Sequence, residues 1–354
     1  FFFFFFFFVF ADHAKKILKS SKSLTGSYLS GKKEVECRNQ RRKIVKSGKN
    51  QTPELWLKGI VKNNLKGLDV SIPLHRFVCL SGVSGSGKST LMNSAIHQGL
   101  LALHGKPVKD IAKYKDIGTT IAFSEVVFVD QTPLSRSSRS NIGIYSKAWE
   151  EVRKLYSKIS FENSGDLKPG SFSFNSGTGR CQECGGMGEV KVEMQFLSDV
   201  FVTCPSCNGK RFNDEVLSVH FKGKNVLEVM DLTVNQAVDF FGEFPKIVNR
   251  LGIIQSVGLG YLRMGQTLST LSGGEAQRLK LVRYLESKKV GLKEHRILLL
   301  DEPTTGLHRE DIGVLLQVFQ KLVDRGNSLI VIEHQIDVLK SADWILELGP
   351  ESGA

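Results

Sequence analysis

The sequence predicts an α/β fold, with a parallel sheet built around a phosphate-binding loop and opened by a mostly helical insertion that carries a four-cysteine metal module. Three observations predict it. Gly82-Val-Ser-Gly-Ser-Gly-Lys-Ser89 stands between an apolar, β-prone run (Phe77–Ser81) and a stretch that reads as a helix, Thr90–Leu103. Arg296-Ile-Leu-Leu-Leu-Asp301-Glu302 has the form of a buried parallel strand running into carboxylates. Between them Cys181-Gln-Glu-Cys184 and Cys204-Pro-Ser-Cys207 are separated by nineteen residues, a zinc-knuckle spacing.

In the first motif, glycine backbones adopt conformations that a Cβ would forbid, so N–H groups converge on phosphate oxygens. The following helix turns its positive end to the same anion. Gly82, Gly85, Ser86, Gly87, Lys88, Ser89 and Thr90 are therefore the candidate nucleotide contacts, with Lys88 reaching the β- and γ-phosphates and Ser89 ligating Mg²⁺. ATP and Mg²⁺ are the expected cofactors. A glycine-rich turn that binds nothing is the bland alternative, and it leaves the Lys-Ser pair and the flanking strand and helix unexplained. The apolar run Val126–Val129 ends close to Gln131, which is weak alone but plausible as a γ-phosphate sensor in this order of motifs.

The cysteine pairs come next. Two tight knuckles around a Glu189–Val202 hairpin would supply four thiolates, Cys181, Cys184, Cys204 and Cys207, to a closed tetrahedral Zn²⁺ site with no open position for catalysis. Disulfides are the alternative. With no secretory signal and an ATP site, the chain reads as cytoplasmic, where thiols stay reduced.

At the end of the Arg296–Leu300 run, Asp301 is placed to hold Mg²⁺ and Glu302 to polarise the attacking water. A second apolar run, Leu329–Ile332, ends in Glu333-His334, and His334 is a second candidate γ-phosphate sensor.

Leu271-Ser-Gly-Gly-Glu-Ala-Gln-Arg278 resembles the signature of the ABC ATPase superfamily. That resemblance implies that Ser272, Gly273 and Gly274 close on a nucleotide held by a second cassette packed head to tail. The chain further resembles the second half of the UvrA family of bacterial nucleotide excision repair, over roughly Trp56 to Ala354. The resemblance rests on Gly82–Thr90, Asp130-Gln-Thr-Pro133, Arg136–Asn141, Gly170–Asn175, Gly179–Cys181, Lys191–Leu197, Leu271–Arg278, Asp301–His308 and Ile332–His334. Even Ser23–Lys33 is similar to the end of that family's first half. The resemblance implies an ABC-type ATPase that binds damaged duplex DNA and does not itself cut it. The part of the family that binds UvrB lies in the first half, so UvrB loading is not carried over to this chain.

The net charge of +12 invites a nucleic-acid reading, but residues 1–50 carry nine of those charges, and Lys32–Lys49 reads as a solvated tether. The zinc segment is not basic. Arg136 and Arg139, in a Ser-rich loop, and Arg153 and Lys154, on a charged helix, are the candidate DNA contacts, of the kind that read phosphate position rather than base sequence. Phe1–Phe8 is too short to span a bilayer and has no periodicity; it reads as out-of-frame or artefactual sequence ahead of a truncated gene product. No membrane association is expected.

The expected organisation is a phenylalanine start and basic linker (1–50), a nucleotide-binding lobe (51–130), an inserted signature and zinc subdomain (131–265) and a return to the ATPase core (266–354). The expected function is ATP-dependent recognition of DNA damage, with hydrolysis at head-to-tail composite sites. Two alternatives remain: a truncated form that binds ATP and zinc without turnover, and a client-binding module similar to the DnaJ zinc domain. The latter would need no phosphate loop. A transporter cassette would lack the insertion.

Overall fold

A computed structural model describes residues 9–36, 40–130, 132, 134, 139–163, 165–173, 175–192, 194, 200–286 and 295–349. Its strands are β1 (Glu54–Lys62), β2 (Leu65–Pro73), β3 (Phe77–Gly82), β4 (Asp116–Thr119), β5 (Glu125–Val129), β6 (Glu189–Val192), β7 (Val200–Thr203), β8 (Arg296–Asp301), β9 (Ser328–Ile332) and β10 (Trp344–Leu348). The chain divides into two compact units, Phe1–Asp130 with Lys288–Ala354, and Gln131–Ser287.

The first unit is built on a five-stranded parallel sheet of order β10-β3-β9-β8-β5. Its central strands are apolar on both faces because both faces are covered. Leu298, Leu299, Leu300, Leu329 and Val331 are all fully buried, and each such side chain contributes about 2 kcal/mol. On one face Val78, Leu80, Leu299 and Ile330 join Leu91, Met92, Ala95 and Ile96 of the helix after the phosphate loop. On the other, Phe77 meets Phe319 edge to face at 5.4 Å. Phe319 belongs to helix Arg309–Asp324, whose Ile312, Leu315, Leu316, Phe319, Leu322 and Val323 recur at helical spacing and are buried. The expected helix over Thr90–Leu103 is present, but Thr90–His97 is π-wound and only Gln98–Leu103 is α-helical. A separate antiparallel sheet, β2-β1-β4, carries the tight Asn63-Asn64 turn, with Asn63 left-handed at φ 48°.

Most described residues of 32–49 are exposed, in keeping with the solvated tether expected there, but two positions are anchored. Val35 is buried, and Arg42 donates to Asp343 Oδ2 (2.7 Å), Asp324 Oδ1 (2.6 Å) and Gln320 Oε1 (2.9 Å). Asp343 also accepts the N–H groups of Arg42 and Phe77, both at 2.9 Å. A guanidinium fork that meets a carboxylate with its remaining lone pairs satisfied can be taken out of water, whereas charge counting along the sequence sees only an excess of Lys and Arg.

A buried histidine, His295, stands just before β8, beside the half-buried His75 just before β3. His295 Nε2 is 2.7 Å from Ser328 Oγ, and the His75 ring stands 4.3 Å from the His295 ring. Burial first, then the neighbouring His75, pushes the His295 imidazole down to about 4, against a small opposing contribution from the Ala122 backbone. The folded ring is therefore neutral where the unfolded one protonates near 6.5. The unfolded state binds more protons between those values, so this contribution to stability is complete above pH 6.5 and is lost as pH falls towards about 4. A loss on the order of 3 kcal/mol is expected across that window, read as a falling denaturant midpoint. His295→Gln should flatten the profile; an unchanged slope would remove this ring as the cause.

The second unit is mostly helical, as expected. Helix Ala148–Glu162 buries Ala148, Trp149, Val152, Tyr156 and Ser160, and Tyr156 Oη donates to Lys224 O at 2.6 Å. Asn225 with Glu228, and Thr233 with Gln236, form reciprocal capping boxes that start the next two helices. β6 and β7 pair antiparallel, with Glu189 opposite Thr203. Helix Gly273–Glu286, which the sequence reading groups with the core returning at residue 266, falls within this unit.

Candidate nucleotide and metal sites

β3, β8, β9 and β10 all run parallel, so their carboxyl ends lie on one edge of the sheet, where α/β folds bind ligands. β3 ends at Gly82 and passes into the phosphate loop. Gly82, Gly85 and Gly87 have φ of 137°, 80° and 99°. Gly82 has a second reason to be glycine: a Cβ there would stand 2.0 Å from the Leu348 carbonyl oxygen. Lys88, 7% exposed, donates from Nζ to the carbonyls of Gly82 (2.9 Å) and Val83 (2.8 Å), which places its ammonium within the loop. Asn64 Nδ2 braces the loop at the Gly85 carbonyl (2.6 Å), and Leu65 fills the space where Gly87 lacks a side chain. Asn64 and Leu65 belong to no motif; the one local signal there is the Asn63-Asn64 pair, a composition that favours tight turns.

Asp301 closes β8. Burial raises its carboxyl pKa first, the Glu302 charge adds to this, and the Lys88 ammonium acts against it. Glu302 follows at φ 44°, left-handed for a residue with a full side chain, a conformation that costs on the order of 1–3 kcal/mol. Its Oε1 lies 3.8 Å from His334 Nε2, and Thr305 Oγ1 donates to its Oε2 at 3.4 Å. Glu333, which sequence reasoning passed over, organises both neighbours. Almost fully buried, it accepts the Thr304 N–H on Oε1 (2.7 Å) and the His334 N–H on Oε2 (3.1 Å). The structure thus brings Glu302 and His334 together on a frame that Glu333 holds. Gln131 lies outside the described residues.

The signature belongs to the second unit. Ser272 N–H donates to Glu275 Oε2 (2.8 Å) and Glu275 N–H to Ser272 Oγ (3.3 Å), a reciprocal cap that starts the helix at Gly273. Tyr261, a further residue without a motif signal, donates to Glu275 Oε1 at 2.6 Å. Gln277 and Arg278 are buried, and Arg278 reaches the Gly258 carbonyl at 3.3 Å.

The four cysteine sulfurs all lie within 4.8 Å of one another, with Cys181–Cys204 at 3.9 Å and Cys184–Cys207 at 3.7 Å. Those separations exclude disulfides, and all four are free thiols. They match the edge of about 3.8 Å that a tetrahedron of Zn–S bonds near 2.3 Å requires. Gly185, Gly186, Gly188 and Gly209 are left-handed, and Gly188 N–H points at Cys184 Sγ (3.2 Å), as tight metal knuckles demand. The Cys184 backbone draws the Cys181 thiol down, while burial drives Cys207 up. Four buried sulfurs at tetrahedral spacing fit a cation that accepts all four as thiolates.

Of the candidate DNA contacts, Arg139 lies beside the first knuckle: a Cβ on Gly185 would be 3.5 Å from its guanidinium. Lys154 is exposed and pairs with Glu151 at 2.9 Å, and Arg153 is half-buried. Arg136 lies outside the described residues. Among the described residues no helix is long and apolar enough to cross a membrane.

A parallel sheet with a glycine phosphate loop, an acidic strand end, a following histidine and a glycine-rich signature helix defines an ABC-type ATPase cassette, here carrying a four-cysteine module of the zinc type. No protein-family model matches the chain. It is 45% identical over 346 residues to UvrABC system protein A of Clostridium tetani, covering 98% of this chain and 36% of that protein. It is 46% identical over 342 residues to the Vibrio cholerae protein of the same name, covering 96% of this chain and 36% of that one. The crystal structure of UvrA2 from Deinococcus radiodurans superposes with a TM-score of 0.82 at 39% identity, over 96% of this chain and 40% of the other. The chain is a UvrA homologue that spans about a third of the length of the curated relatives it matches.

Proposed function

We propose that this chain is an ATP-hydrolysing, DNA-binding subunit that recognises damage in nucleotide excision repair, acting in the cytoplasm. The observation that carries the proposal is the placement of Lys88, Asp301, Glu302 and His334 at the carboxyl ends of strands of one parallel sheet, in a chain 45% identical to UvrABC system protein A. The loop from Gly82 to Thr90 cradles the phosphates of ATP, and Lys88 neutralises the β- and γ-phosphates. Ser89 and Asp301 hold Mg²⁺, which, when bound, supplies charge neutralisation at the same phosphates. Glu302 takes the proton of the attacking water, and His334 and Gln131 read the γ-phosphate. The cysteine set holds Zn²⁺ and braces the hairpin of β6 and β7. Arg136, Arg139, Arg153 and Lys154 contact the backbone of a damaged duplex.

Ser272, Gly273 and Gly274 complete a nucleotide site on another cassette. One phosphate loop and one signature stand in this sequence, so a composite site needs a second cassette. Steady-state hydrolysis across chain concentration, with and without damaged duplex, tests this. A rate per chain that rises with concentration and with DNA is expected. A flat background equal to that of Glu302→Gln and indifferent to DNA would instead favour a nucleotide- and zinc-binding chain without its own turnover.

A further inference from the structure

The loop that carries Glu302 has two ends, and motif reading accounts for one. At its start, Thr304 and Thr305 are tied to Glu333 and Glu302. Its far end is His308, which caps helix Arg309–Asp324: Nδ1 accepts the Glu310 N–H at 3.2 Å. In the neutral ring the proton then sits on Nε2, which donates to Thr25 Oγ1 at 3.2 Å. Thr25 lies in a segment remote in sequence, and Tyr28 follows one turn later. The Tyr28 ring stands edge-on to His308 at 5.7 Å and 75°, and its Oη donates to Glu310 Oε2 at 2.7 Å. Lys33 reaches the same Glu310 oxygen at 2.5 Å.

Tyr28 also touches the other arm of the site. The Arg309 guanidinium lies 5.3 Å from the centre of its ring and forks onto Asp337, with both bonds at 2.9 Å. Asp337 sits in helix Ile336–Ser341, which follows directly on Glu333-His334. One tyrosine, 7% exposed, therefore contacts the far end of the Glu302 loop and the residue that anchors the His334 turn. Burial and Glu310 raise its phenol to about 12, so it remains a donor throughout the working range. A loop with a strained residue at φ 44° keeps that conformation only if its surroundings over-determine it.

We propose that Thr25 and Tyr28 are positioning residues: they clamp His308 and the Arg309–Asp337 pair, and so hold Glu302 and His334 in register for hydrolysis without contributing to nucleotide affinity. This rests on the hydrolytic reading above, and the clamp has a readout of its own. The full chain is compared with Tyr28→Phe, Tyr28→Ala and Thr25→Val. Measurements are amide hydrogen exchange in the peptide covering 302–308, affinity for a non-hydrolysable ATP analogue, and steady-state turnover.

In Tyr28→Ala, exchange in 302–308 should accelerate by about tenfold, while the peptide covering 82–90 is unchanged. Turnover should fall by about tenfold, with analogue affinity within about twofold of the parent. Tyr28→Phe keeps the ring over His308 and should recover part of both effects. Unaltered exchange in 302–308, unaltered turnover beside altered exchange, or affinity falling in step with turnover would each overturn the clamp. A parent chain no faster than Glu302→Gln would instead defeat the hydrolytic reading. Loop exchange would then decide the clamp alone, with acceleration supporting it and no change overturning it.

Discussion

Glu302→Gln is expected to bind ATP with affinity within about twofold of the parent and to turn over about a thousandfold more slowly. The change keeps the side-chain shape, and a glutamine still accepts the Thr305 hydroxyl, but it cannot take a proton from water. In the proposed site the phosphates are held by Lys88 and the loop glycines and not by Glu302, so binding and chemistry should separate. Single-turnover hydrolysis measured beside equilibrium analogue binding makes that separation visible. Turnover that survives the substitution would move the general base elsewhere, with His334, 3.8 Å from Glu302, the first place to look.

The second large effect concerns the cysteines. Cys184→Ser or Cys207→Ser should take bound zinc from one per chain to none and unfold the knuckles with the hairpin of β6 and β7. Structural zinc sites contribute apparent free energies of about 10–16 kcal/mol, which is as much as a whole domain's net stability. Among the described residues, Val190 is the one partly buried apolar side chain packed against the four cysteines, so little apolar packing is left there to replace the metal. Unit 1 has its own core around β3, β8 and β9 and should keep nucleotide binding. Metal content by atomic emission, read against analogue affinity, tests both halves. Zinc retained in either variant would refute the four-cysteine site, and loss of nucleotide binding along with zinc would refute the independence of the two units.

Much of this was legible in the sequence because it is local. Glycines at 82, 85 and 87 permit left-handed turns whatever surrounds them, and the chain there does turn left-handed. Two Cys-x-x-Cys pairs can close on one ion with little help from the rest of the fold, and the four sulfurs do lie within 4.8 Å. Four aliphatic residues ahead of Asp301 mark a strand covered on both faces, as β8 is. The anchoring of Arg42 within the otherwise exposed residues 32–49 was not legible, for the converse reason. Whether Arg42 is solvated depends on Asp324 and Asp343, about 280 and 300 residues away in sequence, and local composition carries no record of them.

Local sequence suffices for the chemical groups this chain presents: a glycine-rich phosphate-loop motif, an acidic strand end, a signature cap and a set of four thiols. In each of these, neighbouring residues supply both the reactive groups and the backbone freedom they need. Long-range packing alone sets how those groups are held. It placed Glu333 between Thr304 and His334, set His75 against the buried His295, put Tyr261 on the signature cap and laid Tyr28 against His308. Those arrangements arise when distant segments pack, and burial then makes a single hydrogen bond or charge count for far more than it does along an extended chain.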